Sequence, residues 1–147
     1  MDSDFDPVDL GVNATKFSYE DLCNFTDGFS TDNFVGVFMW GDVFRGKAYL
    51  NGMQPQEVTV KIWDDSNGVI MDGYRDNSIS RFRDELLFFT DHHVKFHPNL
   101  AKLLGYCFEG NRFGVVYDMK PVITLYNLIP QGILHLLAFL ITYCQVK

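Results

Sequence analysis

The chain is short of basic residues: Lys and Arg together number 12 against 19 Asp plus Glu, so the formal net charge is -7. Proteins that bind mainly to nucleic acid or to an anionic membrane surface carry positive patches that contact phosphate groups. An acidic balance is the opposite of what those partners require. We therefore expect no nucleic-acid partner and no direct membrane partner.

Cysteine is also scarce, with only 3 in the chain of 147 residues. Cys23, Cys107 and Cys144 lie far apart and form no C-x-x-C pair, which favours neither a disulfide framework nor a thiolate zinc site. The acidic N-terminus, MDSDFDPVDLG, has no apolar signal region and no glycine after Met1 for myristoylation. These absences predict a cytoplasmic protein.

The apolar run near the C-terminus, Ile133 to Cys144, is shorter than the roughly 20 residues that cross a bilayer as a helix. We interpret it as a buried or partner-seeking helix rather than a membrane anchor. Three histidines, His92, His93 and His97, match no zinc motif of the H-E-x-x-H type. The sequence therefore predicts no metal site.

The rest of the composition favours one globular domain with a core, because 47% of the residues are hydrophobic and 16% are aromatic. Residues 1 to 16 are interpreted as a short, flexible polar lead. Ser18, followed three positions later by Asp21, predicts a capping box that opens a short helix ending near Gly28.

Strand patterns follow, and they are separated by turn residues. The predicted strands run over Phe34 to Phe38, Val43 to Leu50, Glu57 to Trp63, Ala101 to Phe108 and Arg112 to Asp118. The polar stretch Asp64 to Asn77 is predicted to be a long loop. Phe82, Leu86 and Phe89 form one apolar stripe, which predicts a helix near Arg81 to Asp91. The expected fold is α+β, a five-stranded antiparallel sheet with one major packed helix.

The third predicted strand carries a candidate site. Side chains alternate along a strand, so Lys61 points away from the face that holds Val58, Val60 and Ile62. From there its ammonium can reach phosphate oxygens beneath the glycine loop, Gly36 to Gly41, provided that an acid holds it in place. Glu85, next to Leu86 on the predicted helix, is that acid. We therefore predict an ion pair between Lys61 and Glu85.

Several motifs occur in a fixed order: FSYEDLCNFTDGF, GVFMWGDVFRG, VTVK, HPNLAKLLGYC and VVYDMKPVITL. Together they resemble the N-terminal lobe of protein kinases, and most closely that of plant receptor-like and receptor-like cytoplasmic kinases. The resemblance extends from Phe17 to about Leu128, so residues 17–128 are interpreted as a kinase-like lobe and residues 129–147 as an apolar tail. It also implies a place in the cytoplasm or at the inner face of the plasma membrane.

The resemblance implies an ATP site in which the glycine loop covers the nucleotide and Lys61, paired with Glu85, holds the α and β phosphates. The backbone of the hinge, Asp118 and Met119, would form hydrogen bonds with adenine. Val43 would lie against the adenine and Tyr117 would be the gatekeeper. The residues that the resemblance assigns to this site are Gly36, Gly41, Val43, Thr59, Lys61, Glu85, Tyr117, Asp118 and Met119.

Three positions depart from the family pattern. Phe38 replaces the second glycine of the loop, so a side chain stands where backbone N–H groups approach phosphate. Asp42 adds negative charge there, and Thr59 replaces a small alanine in the adenine pocket. These changes predict weak binding of ATP.

Phosphoryl transfer needs a catalytic aspartate and two further magnesium ligands. The sequence contains no H-R-D, no D-F-G and no A-P-E motif, so we expect no catalytic residues, no bound metal and an inactive, truncated kinase homologue. An alternative is a non-catalytic interaction module that pairs with a full-length kinase through its helix and apolar tail.

Overall fold

A computed structural model describes residues 11–50, 52, 54–63, 74–124 and 127, with only the backbone given for 74–77. The strands, in chain order, are β1 Thr15–Lys16, β2 Phe34–Phe38, β3 Gly41–Ala48, β4 Gln56–Trp63, β5 Lys102–Glu109 and β6 Arg112–Asp118. The α-helices are α1 Tyr19–Phe25, α2 Tyr74–Thr90 and α3 His92–Lys95, and a single 3₁₀ turn covers Thr31–Asn33.

The strands form one sheet of six in the order β1-β5-β6-β4-β3-β2, which confirms the α+β class but corrects the strand count from five. The additional strand, β1, pairs in parallel with β5, and all other neighbouring pairs are antiparallel. It has only two residues, too few for an alternating pattern to show in the sequence. The Phe17 N–H donates to the Tyr106 carbonyl at 2.7 Å, which ties the end of β1 to the sheet.

The capping box predicted for the first helix is present. The Ser18 hydroxyl accepts a hydrogen bond from the Asp21 N–H at 3.0 Å, and the Asp21 carboxylate accepts one from the Ser18 N–H at 2.8 Å. Each side chain thereby satisfies a backbone donor that the first helical turn leaves unpaired. With its start fixed in this way, α1 places Leu22 in full burial against the sheet.

The major helix begins earlier than the sequence indicates. The structure has α2 over Tyr74–Thr90, so the prediction of a loop is wrong for Tyr74 to Asn77, whereas residues 64–73 lie outside the described part. The first turn of α2 consists of polar residues and shows no apolar spacing. The sequence pattern therefore predicts a loop there. The predicted stripe is confirmed, since Phe82 and Leu86 are fully buried and Phe89 packs beside them.

The sheet has a core on each of its two faces. One core contains Leu22 of α1, and the other contains Phe82 and Leu86 of α2. Strand β4 contributes to both: Val58, Val60 and Ile62 pack in the α1 core and Trp63 packs in the α2 core. This alternation confirms the predicted faces of β4, and it directs Lys61 toward α2.

Among the described residues, none of the helices is both long enough and apolar enough to cross a lipid bilayer. The apolar run Ile133 to Cys144, on which the expectation of a partner-seeking helix rests, lies outside the described residues.

Candidate functional site

An ion pair joins the sheet to the major helix. The Lys61 Nζ lies 2.6 Å from the Glu85 Oε2, and the two side chains are only 19% and 16% exposed. The pair forms because side chains alternate along β4, which turns Lys61 toward α2. Burial of Leu86, the residue after Glu85, brings the Glu85 carboxylate to the sheet. The predicted pairing of Lys61 with Glu85 is thereby confirmed.

The other oxygen of this carboxylate is also engaged. The Tyr117 hydroxyl, on β6, donates to the Glu85 Oε1. Burial of the Tyr117 ring, followed by the charge of Glu85 and the hydrogen bond to it, raises the pKa of the phenol well above its ordinary value of 10.0. One acid is thus held between an ammonium group and a neutral hydroxyl, and both come from the sheet.

This arrangement predicts a stability that depends on pH at the alkaline end. Because the Tyr117 pKa is higher in the folded chain than in the unfolded one, its contribution is complete below about pH 10 and declines as pH rises above that value. We expect the wild type to lose about 1.4 kcal/mol more per pH unit above pH 10 than Tyr117→Phe. Urea unfolding between about pH 8 and pH 11 measures this difference.

The matched control is Tyr49→Phe, because Tyr49 is 68% exposed. It should follow the pH profile of the wild type. Equal slopes for the wild type and Tyr117→Phe would contradict the raised pKa.

Two aromatic rings cover the ammonium group of Lys61. The Nζ lies 4.2 Å from the centre of the Phe38 ring and 4.7 Å from that of Trp63, and the two rings meet edge to face at 5.1 Å. A cation over an aromatic face is attracted by the electrons of the ring. The residue that replaces the second loop glycine therefore contacts the lysine itself.

Trp63 is a site residue that the sequence analysis missed. Its side chain is 4% exposed, and within the described part of the chain its indole N–H has no hydrogen-bond partner. The V-x-V-K pattern gives no signal for this position. Trp63 holds Phe38 on one side and Phe82 on the other, so it connects the glycine loop to α2.

The expected adenine end of the site lies along β4 and the segment after β6. The Thr59 hydroxyl donates to the Met119 carbonyl at 2.9 Å, and the Met119 N–H donates to the Tyr117 carbonyl at 2.9 Å. The backbone groups of Met119 are therefore both in use within the chain. Val43 is buried nearby on β3, and Asp118 is half-buried. Their roles toward a nucleotide stay predictions.

The two loop glycines, Gly36 and Gly41, lie where neighbouring atoms leave no room for a side chain. A Cβ at Gly41 would lie 2.0 Å from the Ile62 carbonyl oxygen, and one at Gly36 would lie 2.5 Å from the Thr124 Oγ1 and 2.9 Å from Asn127. These contacts of Gly36 were not predicted, because they come from a segment distant in sequence. The loop thus packs closely against both β4 and the segment after the hinge.

The structure brings the predicted site residues together in two groups. Lys61, Glu85 and Tyr117 form one hydrogen-bonded cluster, and Thr59 and Met119 form another. Within the described residues there is no group of three or more His, Cys, Asp or Glu side chains arranged to hold a metal ion.

Comparison with known proteins identifies relatives in plants. The chain is 32% identical to the "Probable serine/threonine-protein kinase PBL24" of Arabidopsis thaliana over 111 residues, which are 76% of this chain and 25% of that protein. It is 33% identical to the "Serine/threonine-protein kinase PBS1" of the same species over 111 residues, 76% of this chain and 21% of that protein. No protein-family model matches the chain.

A cotton protein gives a similar result. The chain is 32% identical to the "EPD1-interacting receptor-like cytoplasmic serine/threonine-protein kinase 5D" of Gossypium barbadense over 120 residues, 80% of this chain and 24% of that protein. The chain therefore spans about a quarter of the length of the relatives that it matches.

Proposed function

Since this chain is related to the plant receptor-like cytoplasmic serine/threonine kinases through a region like their N-terminal lobe, we propose that it is an adenine-nucleotide-binding lobe of low affinity. The proposed ligand is ATP, held between the glycine loop, the β4 face and the segment after β6. The proposed setting is the cytoplasm, because the cotton relative is described as a cytoplasmic kinase.

The observation that carries the proposal is the ion pair between Lys61 and Glu85 at 2.6 Å. A partly buried ammonium group fixed by a carboxylate presents a directed positive charge, and that is what the α and β phosphates of a nucleotide require. Thr59 lies two residues earlier on the same face of β4, toward the hinge. The ion pair and Thr59 therefore support one site. Its charged end, at Lys61, would hold phosphate, and its neutral end, near the hinge, would hold adenine.

The proposed affinity is low for three reasons. The Phe38 ring covers Lys61, so phosphate must displace an aromatic contact to reach the ammonium group. Asp42 places a negative charge on the same hairpin. The Met119 backbone, a proposed adenine partner, already makes two hydrogen bonds within the chain. Each of these features opposes nucleotide binding without removing the site.

We further propose that these 147 residues do not by themselves transfer phosphate, because their sequence contains neither H-R-D nor D-F-G. Those motifs supply the aspartate that positions the acceptor hydroxyl and the ligands of the metal ions. A protein in which this lobe is accompanied by those groups would phosphorylate serine or threonine. The alternative role as an interaction module depends on the apolar tail outside the described residues, and it stays a prediction.

Calorimetry with ATP tests the proposed site. We expect Lys61→Ala to weaken ATP binding about tenfold, because it removes the ammonium group that is directed by Glu85, and Phe38→Gly to strengthen binding about tenfold, because it uncovers that ammonium group. Magnesium should change neither value by much. Phe96→Ala, at a ring that is 67% exposed on the segment after α3, is the matched control and should bind as the wild type does.

Circular dichroism and thermal unfolding of each variant establish that the fold is retained. Equal heats for the wild type and Lys61→Ala, with both folded, would defeat the proposed role of the lysine. Binding that requires magnesium would contradict the proposed absence of a metal.

A further inference from the structure

The segment that follows the hinge lies against the β2–β3 hairpin instead of leaving the sheet. We define residues 121–124 with Asn127 as the hinge strap. It contacts the hairpin at three places, through Arg45, Val37 and Gly36. The hairpin contains the glycine loop, so the strap contacts part of the nucleotide site proposed above.

The first contact is a clamp on the backbone of the strap. Arg45, on β3, donates from its Nε to the Pro121 carbonyl at 3.2 Å and from its Nη2 to the Val122 carbonyl at 3.0 Å. A guanidinium group is a rigid fork of donors, so two successive carbonyls fix its orientation and their own. The beginning of the strap is thereby held to the middle of β3.

The second contact lies at the sheet edge. Among the described strands, β2 has only β3 as a neighbour, and such an edge strand leaves outward N–H groups without a strand partner. The Val37 N–H donates to the Asn127 Oδ1 at 3.3 Å. Asn127 is held in turn by Thr124, whose hydroxyl donates to the same Oδ1 at 3.0 Å and accepts from the Asn127 N–H at 3.3 Å. The strap therefore supplies a hydrogen-bond acceptor to a backbone N–H group of β2.

The third contact fills the space at Gly36. Thr124 is a polar side chain with only 9% exposure, and a Cβ built at Gly36 would lie 2.5 Å from its hydroxyl oxygen. No volume is left between the strap and this glycine. The proposed function has Gly36 cover the nucleotide, so the strap packs against a residue that would also contact the nucleotide.

We propose that the hinge strap is an internal competitor for the nucleotide site, closed on the hairpin when the site is empty and displaced when ATP binds. The identity of the ligand rests on the proposed function, whereas the closed strap rests on the contacts themselves. When only a fraction of molecules is open, the measured dissociation constant equals the intrinsic one divided by that fraction. The strap thus sets the affinity of the site without touching the phosphates.

Amide hydrogen exchange and ATP binding, measured on the whole chain, test this inference. In Asn127→Ala, the exchange of the Val37 amide should be about tenfold faster, because its acceptor is removed, and ATP should bind about tenfold more tightly. Arg45→Lys, which keeps the charge but loses the fork, should shift both quantities in the same direction. The matched control is Asn99→Ala, at an exposed position after α3, and it should shift neither.

The outcomes separate the two proposals. Unchanged exchange at Val37 in Asn127→Ala would overturn the closed strap. Faster exchange with ATP affinity equal to or below that of the wild type would overturn the competition, since Asn127 would then be neutral or a ligand contact. If neither the wild type nor any variant, Phe38→Gly included, binds ATP, the proposed function fails, and the competition fails with it even where exchange shows the strap closed.

Discussion

Replacing Phe82 by alanine is expected to lower the free energy of unfolding by about 3–5 kcal/mol. The side chain is fully buried at the centre of the α2 core. Its ring centre lies 5.3 Å from that of Trp63, 5.2 Å from that of Phe113 and 5.9 Å from that of Phe108. Alanine leaves a cavity among these large rings, which cannot all move inward without breaking other contacts. Urea denaturation followed by circular dichroism measures the loss.

Phe96→Ala is the matched control for this substitution, because the Phe96 ring is 67% exposed. It should change stability by less than about 0.5 kcal/mol. Phe82→Leu, which keeps most of the apolar volume, should fall between the two. A loss below about 1 kcal/mol in Phe82→Ala would mean that α2 is not anchored on the sheet through this ring.

Gly41→Ala should destabilise the chain by about 3 kcal/mol for a different reason, overpacking. The added Cβ would lie 2.0 Å from the Ile62 carbonyl oxygen and 3.0 Å from the Trp63 Cα. These are backbone atoms of β4, so no side-chain rotation relieves the clash. The first paired residues of β3 must separate from β4, beside Trp63 and Lys61. Thermal and urea unfolding give the size of the effect.

Gly110→Ala provides the contrast, because its φ is +61° while nothing lies within 4 Å of a Cβ built there. That substitution strains the backbone of the turn between β5 and β6 and should lower stability by about 1–2 kcal/mol. A Gly41→Ala variant no less stable than Gly110→Ala would show that the two strands separate easily at this point.

Much of the sheet follows from local rules. Alternation along β4 predicts which residues face each core, and the structure confirms it from Val58 to Trp63. The spacing of Ser18 and Asp21 predicts the start of α1, because capping depends on residues within one helical turn. Alternation along β4 places Lys61, and the apolar stripe of α2 places Glu85 beside Leu86, so the two patterns together predict the ion pair.

One of the features that were missed depends on contact between distant segments, and the other lacks a local pattern. Strand β1 has no periodicity of its own and exists because β5 offers it a partner. The first turn of α2, from Tyr74 to Asn77, is polar. It is helical although no apolar spacing in the sequence indicates a helix there. Sequence patterns describe a residue's neighbours along the chain, so the pairing of β1 with β5 could not be predicted from them.

The site was predicted in outline but not in detail. The replacement of glycine by Phe38 is visible in the sequence, and it predicts a weakened loop. That its ring lies on the Lys61 ammonium group is known only from the fold. The hydrogen bond from the Tyr117 hydroxyl to Glu85 and the packing of the strap against Gly36 are also contacts between separate elements. The order of motifs in the sequence does not specify them.

The pairing of β1 with β5 has a consequence for synthesis of the chain. Thr15 is translated well before its partner Gly105, which is made only after most of the described residues. Until then, Leu22 on α1 has no β6 residue to pack against, since its contact at Gly114 comes later still. Such an apolar surface on a nascent chain is the kind that chaperones bind and that aggregates form from. The earliest strand of the described chain is therefore among the last to pair.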